Sequence, residues 1–177
     1  MQTDQIIRAP ITILLEDFTT THYFARRYDE ATQQALKSIE IEPNQYGIYV
    51  RLAEVFELKG MHDATIHQCQ KGIGVVGRNT TLLAIMARAY ALSGRRQEAL
   101  KILDELKAMS KQVYVSPYDV AILYVGLGDN AVRSSSLTKL MTNRAGWIIH
   151  LNVEPVFDPI RSDPRFGELV KRMKLVS

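Results

Sequence analysis

The chain has 177 residues, 46% of them hydrophobic, with 22 Lys and Arg against 19 Asp and Glu for a net charge of +3. That length suits one folded domain with an ample apolar core, and because charges of both signs are interspersed, no nucleic-acid partner is expected. A single cysteine, Cys69, excludes an internal disulfide and a multi-cysteine metal site, and it fits a reducing compartment, so a cytoplasmic location is expected.

At the amino terminus, Met1 to Pro10 has no basic stretch leading into an apolar run. The apolar residues Ile11 to Leu15 stop at Glu16 and Asp17, too short for an export signal or a membrane helix. Further along, Gly60, Gly94 and Gly128 stand 34 residues apart. The residue seven before each is Ala53, Ala87 or Ala121, and the residue four before is Phe56, Tyr90 or Tyr124. A small residue, an aromatic and a glycine recurring in phase divide the chain into units 46–79, 80–113 and 114–147, preceded by a degenerate unit 12–45 whose matching position is Arg26. Each unit predicts two helices around a turn. In unit 80–113, Leu83, Met86, Ala87 and Tyr90 form one apolar stripe, and Ala99, Leu103 and Leu106 form the facing one. Between them lies Ser93-Gly94-Arg95, where glycine can take the left-handed conformation that ends a helix.

The tail from Trp147 breaks the period and twice places Asp before Pro, at Asp158-Pro159 and Asp163-Pro164. Each pair reads as a helix start, and the second predicts a helix through Met173 with Phe166, Leu169, Val170 and Met173 inward. Lys171, Arg172 and Lys174 complement the negative end of that helix. The segment 147–177 is read as a cap covering Leu137, Leu140 and Met141 of the last repeat helix, with Phe157, Ile160, Phe166, Leu169 and Val170 as its apolar face.

These residues resemble the tetratricopeptide repeat. Unit 12–45 offers Leu15, Tyr28, Ala31 and Pro43; unit 46–79 offers Tyr49, Leu52, Ala53, Phe56 and Gly60; unit 80–113 offers Ala87, Tyr90, Gly94 and Ala99. Departures fall at Thr19 and His22 in the first unit, at Thr65 and Gly77 in the second, and at Arg133 in the fourth. The resemblance implies an all-α fold, a right-handed superhelical solenoid of antiparallel helix hairpins built as a single domain over 1–177. The tail, Phe157-Asp-Pro-Ile-Arg-Ser-Asp-Pro-Arg-Phe166, is similar to segments that close repeat arrays in bacterial regulators, adenylate cyclases and protein kinases, which implies a bacterial origin.

The resemblance also implies a function: a protein or peptide partner bound in a concave groove lined by the first helix of each unit. Counting along the units assigns Glu16, Thr20 and Tyr23, then Val50, Glu54 and Glu57, then Ala84, Arg88 and Ala91, and finally Tyr118, Ile122 and Val125 to that face. Its first half is acidic and polar and its far end apolar, suiting a partner with a basic part and an apolar anchor. An added helix or a second copy covering the apolar end is the alternative, and with it self-association. Some relatives grip a chaperone-tail carboxylate through Lys and Asn, but the corresponding positions here hold Glu16, Thr20, Arg51, Thr81 and Ile85, so no such clamp is expected.

Other motifs read as structural. Gly72-Ile73-Gly74-Val75-Val76-Gly77 matches a dinucleotide-binding pattern, but it follows a predicted helix and falls where the unit must end its second helix. His62, His67 and Cys69 share one helix, on which the last two point far apart. His22 and His150 have no catalytic partner at a recognisable spacing. Asn79 or Thr80 is read as a helix cap. No enzymatic activity and no cofactor is expected. The leading expectation is a binding scaffold, and the alternative is a regulatory or oligomerisation module of a bacterial signalling or transcription-control system.

Overall fold

The computed structural model describes residues 14, 16–128 and 153–172. Outside them lie the amino-terminal segment Met1 to Pro10, the last repeat helix with Arg133, Leu137, Leu140 and Met141, and also Trp147, His150 and Met173. Every regular element among the described residues is helical. Residues 16–24 form α1. There follow α2 (Tyr28–Ile41), α3 (Tyr46–Leu58), α4 (His62–Val76), α5 (Thr80–Leu92), α6 (Arg96–Met109) and α7 (Pro117–Leu127). After residue 153 come a 3-10 helix (Pro155–Ile160) and α8 (Pro164–Arg172).

The turns keep the 34-residue register. Gly60, Gly94 and Gly128 have φ of 72°, 81° and 69°, and Arg26 joins them at 58°, the left-handed conformation that side chains resist. The degenerate first unit therefore keeps the turn geometry after losing its glycine. The helix after each of the first three turns starts two residues later, so the hairpins share one local design.

The chain divides into two compact units, Met1–Leu82 and Leu83–Ser177, with the boundary one turn into α5. In the first, α3 packs against both α2 and α4. Ala31, Ala35 and Ser38 recur at helical spacing on the buried side of α2, and their small size lets α3 approach. Ala35 meets Ile48 and Leu52, while Ala31 meets Tyr23 and Val55. Burying a side chain such as Leu52, which is fully enclosed, is worth roughly 1.5–3 kcal/mol. Thr65 stands where the repeat favours alanine and is also fully enclosed; its hydroxyl donates to the Met61 carbonyl at 3.1 Å, so the extra polar atom is satisfied within its own helix. Ser38 does the same toward the Gln34 carbonyl at 2.8 Å.

One expectation about α4 needs correction. The glycine-rich stretch does not as a whole end the helix: α4 runs through Gly72 and Gly74 to Val76, and Gly77, at φ 82°, is its terminus. Gly72 is in the helix for space, because a Cβ there would lie 2.9 Å from Leu82 Cδ1 and 3.0 Å from Tyr49 Cβ. Asn79 caps the next helix, its Oδ1 accepting from the amides of Thr81 at 3.0 Å and Leu82 at 3.2 Å.

In the second unit, Ala87, Leu103 and Leu123 bring α5, α6 and α7 to one core, flanked by Leu100, Ile102, Tyr124 and Leu127. Ser116 accepts from the Tyr118 amide at 3.2 Å and caps α7, which opens with Pro117. At the far end of α7, Arg96 donates to the Leu127 carbonyl at 3.0 Å, satisfying one of the carbonyls that a helix terminus leaves open. Asp163-Pro164 opens α8, with the Asp163 carbonyl accepting from the Phe166 and Gly167 amides. Asp158-Pro159 does not start a helix: it lies inside the 3-10 turn that Pro155 begins, where Asp158 accepts from Arg161 Nε at 2.7 Å.

Candidate partner-binding face

The residues that repeat counting assigns to the concave face differ in accessibility. Glu16, Thr20, Val50, Ala91, Tyr118 and Val125 are half-buried, whereas Tyr23, Glu54, Glu57, Ala84, Arg88 and Ile122 are buried.

In the first unit α1 and α3 carry these positions. Glu16 accepts from Gln45 Nε2 at 2.8 Å, and its carboxylate lies where a Cβ on Gly47 would sit, so glycine there leaves room for it. Lower on the same helices, the Arg51 guanidinium lies 4.2 Å from the centre of the Tyr23 ring and 5.5 Å from that of Phe24. The two rings meet edge to face at 5.2 Å. Arg51 Nη1 donates to Glu54 Oε2 at 2.8 Å, one turn along α3, and the two side chains are only 10% and 11% exposed. A cation held between aromatic faces and a carboxylate has both its charge and its donors compensated while out of water.

This corrects the picture of an exposed acidic surface: Glu54 and Glu57 are 8% and 6% exposed. Their charge acts inward, on Cys69. Burial chiefly, then the fields of Glu57 and Glu54, push the Cys69 thiol well above its ordinary range, leaving it a protonated core group. Gln68, the residue before Cys69 on α4, is also buried, and its Nε2 has no hydrogen-bond partner among the described residues. Arg51 entered the sequence reading only as a departure from a carboxylate clamp. The signal for its role was local: Glu54 three residues on, and an adjacent aromatic pair at Tyr23 and Phe24.

In the second unit the counted positions lie on α5 and α7. These helices come close enough that a Cβ on Gly126 would sit 2.7 Å from Arg88 Cγ and 3.4 Å from the Arg88 carbonyl. Lying against them is the segment from Glu154 to Phe157. Phe157 is fully buried, edge to face with Tyr118 at 5.7 Å and tilted onto Phe166 at 5.7 Å. Arg88 Nη2 donates to the Val156 carbonyl at 3.5 Å, a long contact within a buried setting. Asp119 of α7 and Glu154, 2% and 4% exposed, are buried polar residues of this unit that sequence reading had not singled out. Of the apolar face expected for the tail, Phe157, Phe166 and Val170 are buried.

The remaining candidates are dispersed. On α4, His67 is exposed and Cys69 buried, and His62 is half-buried at the helix start; His22 is half-buried on α1. Among the described residues, no three His, Cys, Asp or Glu side chains gather as a metal site would require. No helix among them is long and apolar enough to cross a membrane.

Comparison with protein-family models finds no match, and comparison with curated proteins finds none. Among solved structures, the crystal structure of MamA protein, a TPR-containing protein, is similar over 93% of this chain and 88% of that one, at 16% identity and a TM-score of 0.51. At that identity the likeness concerns the course of the backbone, and with the in-register left-handed turns it establishes a TPR-like, all-helical repeat fold.

Proposed function

We propose that this chain is a non-catalytic interaction scaffold that binds a protein or peptide through the faces formed by the first helices of its repeats. The observation that supports this most is the repeat design itself. Hairpins that close on the same left-handed turn at Arg26, Gly60 and Gly94 share one local design, and first helices of repeats built this way commonly serve as recognition faces for protein segments. Fold alone does not fix function, so the residues must carry the claim. In the first unit the accessible part of the face is Glu16, Thr20 and Val50, and in the second it is Ala91, Tyr118 and Val125. These are mixed polar and apolar side chains without the convergent acid, base and nucleophile that chemistry would need.

The test is capture of a partner by the intact chain, identification by mass spectrometry, and calorimetric titration of the purified pair. Thr20→Arg and Val125→Arg each leave the buried layer in place while adding bulk and charge to the half-buried face. At least one is expected to weaken binding about tenfold with an unchanged circular dichroism spectrum, the loss of roughly one good contact. Affinity unaltered by both substitutions would move the partner site elsewhere on the chain.

A further inference from the structure

The segment after residue 153 is held in the second unit as a ligand is held. Helices that stack in a repeat meet through rows of side chains, but here the contacts are of another kind. Phe157 inserts a whole ring, fully buried, between Tyr118 of α7 and Phe166 of α8. Arg88 of α5 reaches the main-chain carbonyl of Val156. An aromatic anchor in a pocket, with an arginine reading a backbone carbonyl beside it, is the grammar of peptide recognition. Both Arg88 and Tyr118 occupy positions that the repeat register assigns to the partner-facing side.

The segment is fastened by a second, separable device. Arg161 Nη2 donates to the Glu154 carbonyl at 2.9 Å, its Nε donates to Asp158 at 2.7 Å, and its guanidinium lies 5.9 Å from the centre of the Phe166 ring. This clip closes the 3-10 turn on itself and touches neither Arg88 nor Tyr118 in these contacts. It shapes the segment and braces the tail's own side of the pocket through Phe166.

We infer that Glu154-Pro155-Val156-Phe157 is an internal ligand of the second unit, and that the same pocket accepts an external protein segment with an acidic residue, a proline and, three residues after the acid, a phenylalanine. This rests on the scaffold reading above and narrows it to a partner class. The carbonyl contact is indifferent to side-chain identity, so Phe157 carries the selectivity, and Pro155 presets the turn at little entropic cost. External binding requires the internal segment to leave, so the apparent affinity scales with the fraction of chains in which it has left.

The experiment uses the full chain and a fluorescein-labelled peptide spanning residues 153–166, followed by fluorescence anisotropy. Wild-type protein is expected to bind the peptide weakly. Arg161→Ala, which loosens the clip and leaves Arg88 and Tyr118 in place, is expected to bind it about tenfold more tightly, and a peptide carrying Phe157→Ala is expected not to bind. Should Arg161→Ala disturb folding, hydrogen exchange of the wild-type chain with excess peptide gives the same answer. The Phe157 amide, which donates to the Glu154 carbonyl at 3.2 Å, is expected to exchange faster when the peptide displaces the segment. Equal peptide affinity for wild type and a folded Arg161→Ala chain, or equal binding of the Phe157→Ala peptide, or unchanged exchange at saturating peptide, overturns the inference. Dimerisation of Arg161→Ala without gain in peptide binding overturns it in favour of exchange between copies. The scaffold reading stands or falls separately, since Thr20→Arg reports on the first unit alone.

Discussion

Gly72 and Gly74 lie two residues apart on α4, and replacing each by alanine should move stability in opposite directions. Intrinsic helix propensity favours alanine over glycine by roughly 1 kcal/mol at any interior position. At Gly74 nothing lies within 4 Å of the added Cβ, so that gain is kept. At Gly72 the new carbon would meet Leu82 Cδ1 at 2.9 Å, Tyr49 Cβ at 3.0 Å and Tyr49 Cγ at 3.2 Å. Leu82 is fully enclosed and Tyr49 only 5% exposed, and a Cβ cannot swing aside as a side-chain tip can, so α3 and α4 must part. Overpacking of this kind costs about 1–3 kcal/mol, which exceeds the propensity term. The two variants should therefore differ by about 2 kcal/mol, and at about 2–4 °C per kcal/mol for a chain of this size their melting temperatures should straddle that of the wild type. Thermal melts followed at 222 nm, with urea midpoints as a second measure, suffice. A Gly72→Ala chain that melts as high as Gly74→Ala would refute the close approach of α3 and α4 at this point.

Arg26→Gly should raise stability by up to about 1 kcal/mol, since relief of the left-handed strain at φ 58° outweighs the extra freedom of glycine in the unfolded chain; a lower melting temperature would show that the Arg26 side chain matters more than its backbone. Glu54→Lys should prevent folding or cost about 3–5 kcal/mol, because it sets a second cation against the buried Arg51; a native circular dichroism spectrum with wild-type stability would contradict that burial. Cys69 should resist alkylation at pH 8 until denaturant is added, as expected of a buried protonated thiol, and prompt labelling in buffer would count against it. With its folded pKa raised, the native state keeps a proton that the unfolded state sheds above about pH 8.5. Stability should then fall by about 1.4 kcal/mol per unit of rising pH beyond that point, a slope that Cys69→Ala should lack.

Much of the fold was legible because turn chemistry is local. A left-handed residue closing a hairpin needs glycine or tolerates strain, so three glycines in phase revealed the period, and the frame they set reached Arg26, whose identity alone would have signalled nothing. Asn79 and Asp163 were legible as helix starts for the same reason. The α4 glycines were harder. Glycine serves both to end a helix and to let another backbone or ring come near, and only the neighbour decides which: at Gly77 it is the backbone angle, at Gly72 it is Tyr49 and Leu82.

The candidate face was legible in register and illegible in exposure, because counting along a helix gives direction but says nothing of what lies in that direction. Glu54 reads as a groove carboxylate by position, yet Arg51 one turn earlier on the same helix claims it, and the rings of Tyr23 and Phe24 lie against that arginine. Arg88 and Tyr118 fall in register on the face proposed for a partner, and there the chain packs its own Val156 and Phe157. Such filling follows from the physics of an apolar face. A pocket able to bury a phenylalanine would expose that area to water whenever it stood empty, at roughly 25 cal/mol per Å². A tail with a matching aromatic offsets that cost within one chain, and under the inference proposed above, affinity for an external segment becomes a question of which phenylalanine the pocket holds.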